Sequence, residues 1–388
     1  MLRMKIVVQV KLIPDAVQAP VPGATLHTVN DRANWVSEVA FACGVPREYE
    51  LRKHTYAELK AAGLGAQAAQ HTIKKVCDAY ITLRANLRAG NLGKPGGKRR
   101  RKAESKPVVF RPEAAHPFDD RCLSWQYDAQ TVGIRTTAGR FRHVRFACSA
   151  DALKTLREYR KGESDLIEGD GVFYLIAVCE VPEAGQYEPD GFIGVDLGIA
   201  NIATTSTGYR AAGRGLNRHR KRQLDLRRTL QAKGTKSAKR RLKNRRRKEA
   251  RHAANVNHII SKQIVTEAER TSSGIALEDL GGIRQRVRLR KPQRVTLHSW
   301  AFHQLGQFAE YKARRAGVPL VYADPAYTSQ EYAECHHIEK KNRVDQALFI
   351  CRTCGVVAHA DRNASHNIAA RGHVVWIAGR ESRVPAPS

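Results

Sequence analysis

Three acidic residues of the 388-residue chain stand where carboxylates can do metal-dependent chemistry: Asp196, Glu278 and Asp361. Asp196 closes the apolar run Phe192-Ile193-Gly194-Val195, and the turn residues Leu197 and Gly198 follow it. Glu278 closes Ile275-Ala276-Leu277 in the same way, with Asp279 next to it. Asp361 lies just before the helix-like stretch NASHNIAARG. Taken singly, each is an ordinary acid at a strand end or in a loop, facing solvent or capping something. Two strands that each end in an acid, however, bring carboxylates to one edge of a sheet. Three carboxylates so placed suit a hard, oxygen-seeking cation such as Mg²⁺. The reaction that needs such a set is phosphodiester hydrolysis. Two Mg²⁺ ions about 4 Å apart serve its charged transition state by activating the attacking water and stabilising the leaving oxygen.

The rest of the composition points to the substrate class. Lys and Arg number 67 against 37 Asp and Glu, a formal charge of +30. A surplus of this size self-repels until a polyanion neutralises it, and nucleic acid is the usual one. The charge is densest over 214–251, which holds 18 Lys and Arg and 2 acids, a local net of +16. Leu216, Leu224, Leu226, Leu230 and Leu242 are the few apolar anchors there, and Gly234 supplies a turn, so the segment reads as a basic helical hairpin. Arg220, Lys221, Arg222, Arg240, Arg241, Arg245, Arg246 and Arg247 are its candidate nucleic-acid contacts, because a run of one charge sign is poorly explained as a merely solvated face.

No stretch approaches the roughly 18–20 apolar residues of a membrane span, and no amphipathic helix with a wide apolar face suggests a membrane surface. The opening MLRMKIVVQVKLIPDAV alternates apolar and charged residues like a strand, not like a secretory leader. Eight cysteines include one C-x-x-C pair, and with no leader they are expected reduced, as thiols or metal ligands in a cytoplasmic protein.

These residues need elements to position them. The strand at 4–13 is followed by helical spacing over 30–88, with Trp35, Val39, Phe41, Ile73, Val76, Ala79 and Ile81 on apolar faces. A Gly, Pro and Lys/Arg stretch over 91–106 reads as a flexible basic linker. Short alternating pieces from Val108 to Val181 suggest a small antiparallel barrel, which the N-terminal strand would complete, making the helical part an insertion. The C-terminal half alternates strands and helices, an α/β pattern. The expected class is therefore multidomain α+β. A β-barrel covers 1–29 and 107–185, a helical domain 30–90, and an α/β domain 190–325 and 359–373 with an insert at 326–358. Residues 374–388 read as a mobile tail. Trp35, Trp125 and Trp300 are expected in cores, as are Cys43, Cys77, Cys122, Cys148 and Cys179.

The segments GVDLGIANIATTSTG, ALEDLGGIR and ADRNASHNIAARG resemble, in order and spacing, the three RuvC motifs of TnpB proteins, transposon-encoded RNA-guided DNA endonucleases close to the compact type V CRISPR effectors. TSQEYAECHHIEKKNRVDQALFICRTCG resembles the zinc ribbon that this family carries between its second and third motifs. The resemblance covers about 191–373. The N-terminal half fits the family's wedge-like β-barrel and helical recognition domain less specifically.

The resemblance implies an RNase H-like (RuvC) nuclease domain with Asp196, Glu278 and Asp361 as catalytic Mg²⁺ ligands. It also implies a guide RNA, a double-stranded target DNA read partly through a short flanking motif, and a prokaryotic, nucleoid-associated setting. Asn363 and Asn367 would orient Asp361 or cap its helix, and Arg343 and Arg352 would reach the substrate strand or simply face solvent. The chain departs from the family in the ribbon. Cys351 and Cys354 form an intact pair, but Cys335 stands without its partner, and Tyr332 occupies that place. Zn²⁺ at Cys335, Cys351 and Cys354 then needs a fourth ligand, for which His336 and His337 are candidates. Two rival readings are an RNA-guided DNA-binding regulator that does not cut, which would be expected to lack an acid of the triad, and an RNase H-like transposase.

Overall fold

The computed structural model describes residues 3–44, 47–280 and 302–381, apart from the side chains at 247, 380 and 381. Trp300, expected in a core, and the end of the ALEDLGGIR motif lie outside the described residues. The chain divides into two compact units, Arg3–Val181 and Pro182–Ser388.

The first unit is built on β1 (Arg3–Ile13), whose alternation of apolar and charged residues is the alternation of a half-buried strand: Met4, Val8, Val10 and Leu12 are buried while their neighbours face out. Six further strands join it: β2 (His116–Phe118), β3 (Leu123–Gln126), β4 (Thr131–Thr136), β5 (Gly139–Ala147), β6 (Arg160–Gly169) and β7 (Val172–Pro182). The order is β2-β6-β7-β1-β5-β4-β3, a near-barrel in which β1 sits centrally between β7 and β5. Val132, Val144, Phe146, Leu166 and Leu175 fill its interior with the β1 residues.

Three helices interrupt this sheet after its first strand: α1 (Val21–Cys43), α2 (Glu48–Ala61) and α3 (Ala66–Arg88). Val29, Val36, Leu51, Leu59, Ile73 and Val76 form their shared core. The helical part begins at Val21 and not at 30, because Pro22 sits in the first turn, where its missing N–H costs nothing. Within the expected 91–106 linker, Lys98–Glu104 forms a short helix, α4. A fifth, α5 (Ala150–Tyr159), is capped by the Ser149 hydroxyl accepting from the Ala152 N–H. Cys77, Cys122 and Cys179 are buried as expected, but Cys43 is exposed at the end of α1 and Cys148 is only half-buried.

The second unit carries a five-stranded sheet of order β10-β9-β8-β11-β12. Its strands are β8 (Phe192–Asp196), β9 (Asn201–Thr205), β10 (Arg210–Ala212), β11 (Gly274–Glu278) and β12 (Leu320–Ala323). β8, β9 and β10 form an antiparallel meander, whereas β8, β11 and β12 run parallel. Parallel neighbours need long crossovers. The one between β10 and β11 is the expected hairpin, α6 (Arg214–Lys233) and α7 (Lys236–Arg270), turned by Gly234 at φ 62°. Ile260 and Ile264 of α7 pack with Phe302, Leu305 and Ala309 of α8 (Phe302–Ala316) against the sheet.

The opposite face is covered by α9 (Ala360–Glu381). This helix continues through 374–381, where a tail was expected; residues 382–388 lie outside the described residues. It lies so close to the sheet that side chains are excluded where the two meet. A Cβ on Gly194 of β8 would stand 1.9 Å from the Ser365 carbonyl oxygen, and one on Gly372 would stand 2.3 Å from the Ala276 Cβ of β11. Among the described residues, no helix is long and apolar enough to cross a membrane.

Candidate metal centre

The register of β8 and β11 decides where the first two acids meet. Leu277 pairs with Val195, so the next residues, Glu278 and Asp196, leave the sheet side by side at the same edge. Glycine at 194 lets α9 settle against β8, and the first turn of that helix delivers Asp361 to the same edge. A carboxylate there also lies at the positive end of the helix dipole. Asp361 and Glu278 are buried, at 3% and 8% exposure, and Asp196 is half-buried.

Burying like charges together is costly, and the acids register it. Burial pushes the Asp196 carboxyl well above the usual range, and the nearby charges of Glu278 and Asp361 add to the shift. Burial likewise raises Glu278 to about 7, against the Leu197 N–H, the Thr328 hydroxyl and the Arg343 charge, which favour its ionised form. The Thr328 hydroxyl lies 3.3 Å from Glu278 Oε1.

Asp361 is the most thoroughly held of the three. Asn201 Nδ2 donates to its Oδ2 at 2.8 Å, and Arg343 Nη2 donates to its Oδ1 at 3.0 Å. Arg343 therefore pairs with the centre and does not simply face solvent. Asn363 and Asn367 neither cap the helix nor touch Asp361. Asn363 takes the Ala333 N–H and donates to the Glu331 carbonyl, and Asn367 donates to the carbonyls of Thr328 and Glu331. Together with Arg371, which donates to the Asp324 and Ala326 carbonyls, they clamp the 324–333 segment onto α9. Asn201 had no signal in the sequence, since it lies 160 positions from its partner.

Within the stretch read as the insert lies a two-stranded ribbon, β13 (Leu348–Ile350) and β14 (Val357–His359). Buried Asn342 ties it together, donating to the Gln330 and His337 carbonyls and accepting the Arg352 N–H. Cys335, Cys351 and Cys354 meet there with all three sulfurs within 4.8 Å of one another. The carboxylates are spaced more widely than that; among the described residues only the thiols reach it. The two candidate histidines turn elsewhere, His336 Nδ1 to Glu331 Oε1 at 3.0 Å and His337 Nε2 to Glu339 Oε2 at 3.4 Å.

On the basic hairpin, Lys221, Arg222, Arg240, Arg241 and Arg246 are exposed, while Arg220 and Arg245 are half-buried. Arg245 Nε donates to Gln223 Oε1 at 3.0 Å, bracing one helix against the other. The Arg247 side chain lies outside the described residues.

Residues 302–368 match the Cas12f1-like TNB domain. Over 233 residues the chain is 34% identical to the CRISPR-associated endodeoxyribonuclease Cas12f1 of Sulfoacidibacillus thermotolerans, covering 55% of this chain and 54% of that protein. It is 29% identical over 226 residues to the putative RNA-guided DNA endonuclease InsQ of Escherichia coli (strain K12), covering 54% and 56%. The chain thus spans about half the length of these curated relatives. A Cas12f1–sgRNA–target DNA complex aligns with a TM-score of 0.53 at 13% identity, over 89% of this chain and 82% of that one. CasPhi-2 (Cas12j) bound to crRNA aligns at 0.51 and 11%, over 95% and 98%. The chain is similar to Cas12f1 and TnpB-like proteins over part of its length, and its mixed α/β fold resembles that of compact Cas12 effectors.

Proposed function

We propose that this chain is an RNA-guided DNA endonuclease, with Asp196, Glu278 and Asp361 as the Mg²⁺ ligands of a RuvC-like, RNase H-type domain. The observation that carries this reading is the convergence at one sheet edge of two parallel central strands ending in acids and a helix whose first turn brings the third. The named activities of the relatives supply the substrate class, a guide RNA and a target DNA.

The residues fit a divalent cation. Buried charges persist in proteins when they are paired or coordinate metal. Among the described residues, the guanidinium that bears on all three acids is that of Arg343, and two of the acids are driven toward protonation. When bound, divalent cations would lower the barrier to phosphodiester hydrolysis by activating water and stabilising the leaving oxygen. The chain's own part is to fix the ligands. Asn201 and Arg343 set the orientation of Asp361, and Thr328 with the Leu197 N–H sets that of Glu278. The exposed cations of the α6–α7 hairpin provide a surface for a nucleic-acid backbone, and residues 326–358 correspond to the zinc-ribbon-like insert.

The test is cleavage by the purified complex of chain and copurifying RNA. Asp196→Ala should abolish cutting while target binding in a gel-shift assay stays within a few-fold of the parent. Loss of target binding by a folded Asp196→Ala chain would sink the assignment. Binding without cutting by the unaltered chain would favour the regulator instead.

A further inference from the structure

The three thiols outside the carboxylate centre have a geometry of their own. Cys335 Sγ lies 3.5 Å from Cys351 Sγ and 3.8 Å from Cys354 Sγ. With Zn–S bonds near 2.3 Å, the sulfurs of a tetrahedral site lie about 3.8 Å apart. Two of the three sulfur separations therefore already match the edge of such a tetrahedron, and the third is within 4.8 Å. Their directions are also fixed by the backbone: the His337 N–H points at the Cys335 sulfur, and the Thr353 and Cys354 N–H groups at the Cys351 sulfur. Each knuckle is bent back by a left-handed residue, His336 at φ 56° and Gly355 at φ 72°. Two of the thiols, Cys335 and Cys354, are exposed, so a cation can reach them.

Among the described residues, no fourth ligand atom joins the three sulfurs. Tyr332 has the place of a second cysteine in the first knuckle, but its ring stacks on buried Phe349 at 6.0 Å and belongs to the small core of Phe349, Cys351 and Ala360. Turning the phenol onto a cation would give up that packing. His336 and His337 are held by Glu331 and Glu339, and neither imidazole joins the group of mutually close ligand atoms.

We propose that Cys335, Cys351 and Cys354 form a three-thiolate metal site whose fourth corner is filled from outside the chain, by water or a small exogenous ligand. A thiophilic divalent cation such as Zn²⁺ is then held but exchangeable. The proposal rests on reading 326–358 as a metal ribbon and is independent of whether the chain cuts DNA.

The experiment uses the full chain with Co²⁺ as an optical probe and Zn²⁺ retention against a chromogenic chelator. One Co²⁺ per chain should bind with thiolate charge-transfer absorption, and its ligand-field bands should move when imidazole is added. In Tyr332→Cys the bands should no longer respond to imidazole. Zn²⁺ should also be held more tightly, by at least the roughly 10–100-fold that loss of even an outer-shell partner costs. Two results would overturn the proposal: no Co²⁺ binding by the folded parent, or parent bands indifferent to imidazole with Zn²⁺ retention equal to Tyr332→Cys. Should Tyr332→Cys fail to fold, the imidazole response of the parent decides alone.

Discussion

Arg343 donates to Asp361 across 3.0 Å, so the element at 326–358 supplies the countercharge for an acid in the first turn of α9. Asp361 is nearly inaccessible, and the guanidinium is itself about three-quarters covered. Removing one member of a buried pair leaves the other uncompensated, which costs about 3–5 kcal/mol. Arg343→Ala should therefore destabilise the chain by several kcal/mol in urea unfolding with EDTA present. Adding Asp361→Asn to that variant should restore most of the loss, the coupling expected of touching residues. Additive effects would mean that the pair does not form.

The strained acids predict a dependence of stability on pH. Glu278 titrates near 7 in the folded chain and near 4.5 unfolded, so between those values the folded state holds more protons. Stability in EDTA should fall as pH rises through this window, by on the order of 3 kcal/mol for a shift of this size. Asp196, raised as well, acts in the same direction. Glu278→Gln should flatten the profile and be the more stable protein at pH 8, and Mg²⁺ should stabilise the parent there but not the variant. A parent chain more stable at pH 8 than at pH 5 would contradict this account.

Gly194→Ala places a methyl group against the backbone of α9, with 1.9 Å to the Ser365 carbonyl. Backbone cannot give way as a flexible side chain does, so a loss beyond the usual overpacking range of about 1–3 kcal/mol is expected. Cleavage should be lost with it, since Asp361 moves with the helix. Unfolding midpoints and cutting rates of the same preparation check both.

The hairpin should contribute charge and not sequence discrimination. Replacing exposed Arg240, Arg241 and Arg246 with Ala should weaken nucleic-acid binding evenly across sequences. The slope of log K against log salt should become shallower by about one for every phosphate that is no longer neutralised. An unchanged slope would place the charges that meet the nucleic-acid backbone elsewhere on the chain.

What could be read from the sequence followed periodicity and punctuation. The period-2 alternation of β1, the apolar runs leading to Asp196 and Glu278, and the turn at Gly234 are local signals, and all three stand in the structure where expected. Partners of polar groups left no such trace. Nothing near Asn201 in sequence shows that its carboxamide serves Asp361, and nothing marks Arg343 as a countercharge and not a surface residue. Asn363 and Asn367 closely follow Asp361 in sequence, but the helix turns them toward the 328–333 backbone. The helix at 374–381 was hidden because Val374, Val375 and Ile377 are exposed and follow no buried stripe.

The clamp made by Asn363, Asn367 and Arg371 bears on what the 326–358 element needs in order to hold its place. The root of the 326–358 element is fastened to α9 by carboxamide and guanidinium hydrogen bonds, with no thiol among them. The backbone on both sides of Tyr332, which leads into the first knuckle, is thus seated on α9 by bonds that need no cation. Stripping metal from the thiols should therefore leave the 324–333 segment in place against the helix that carries Asp361.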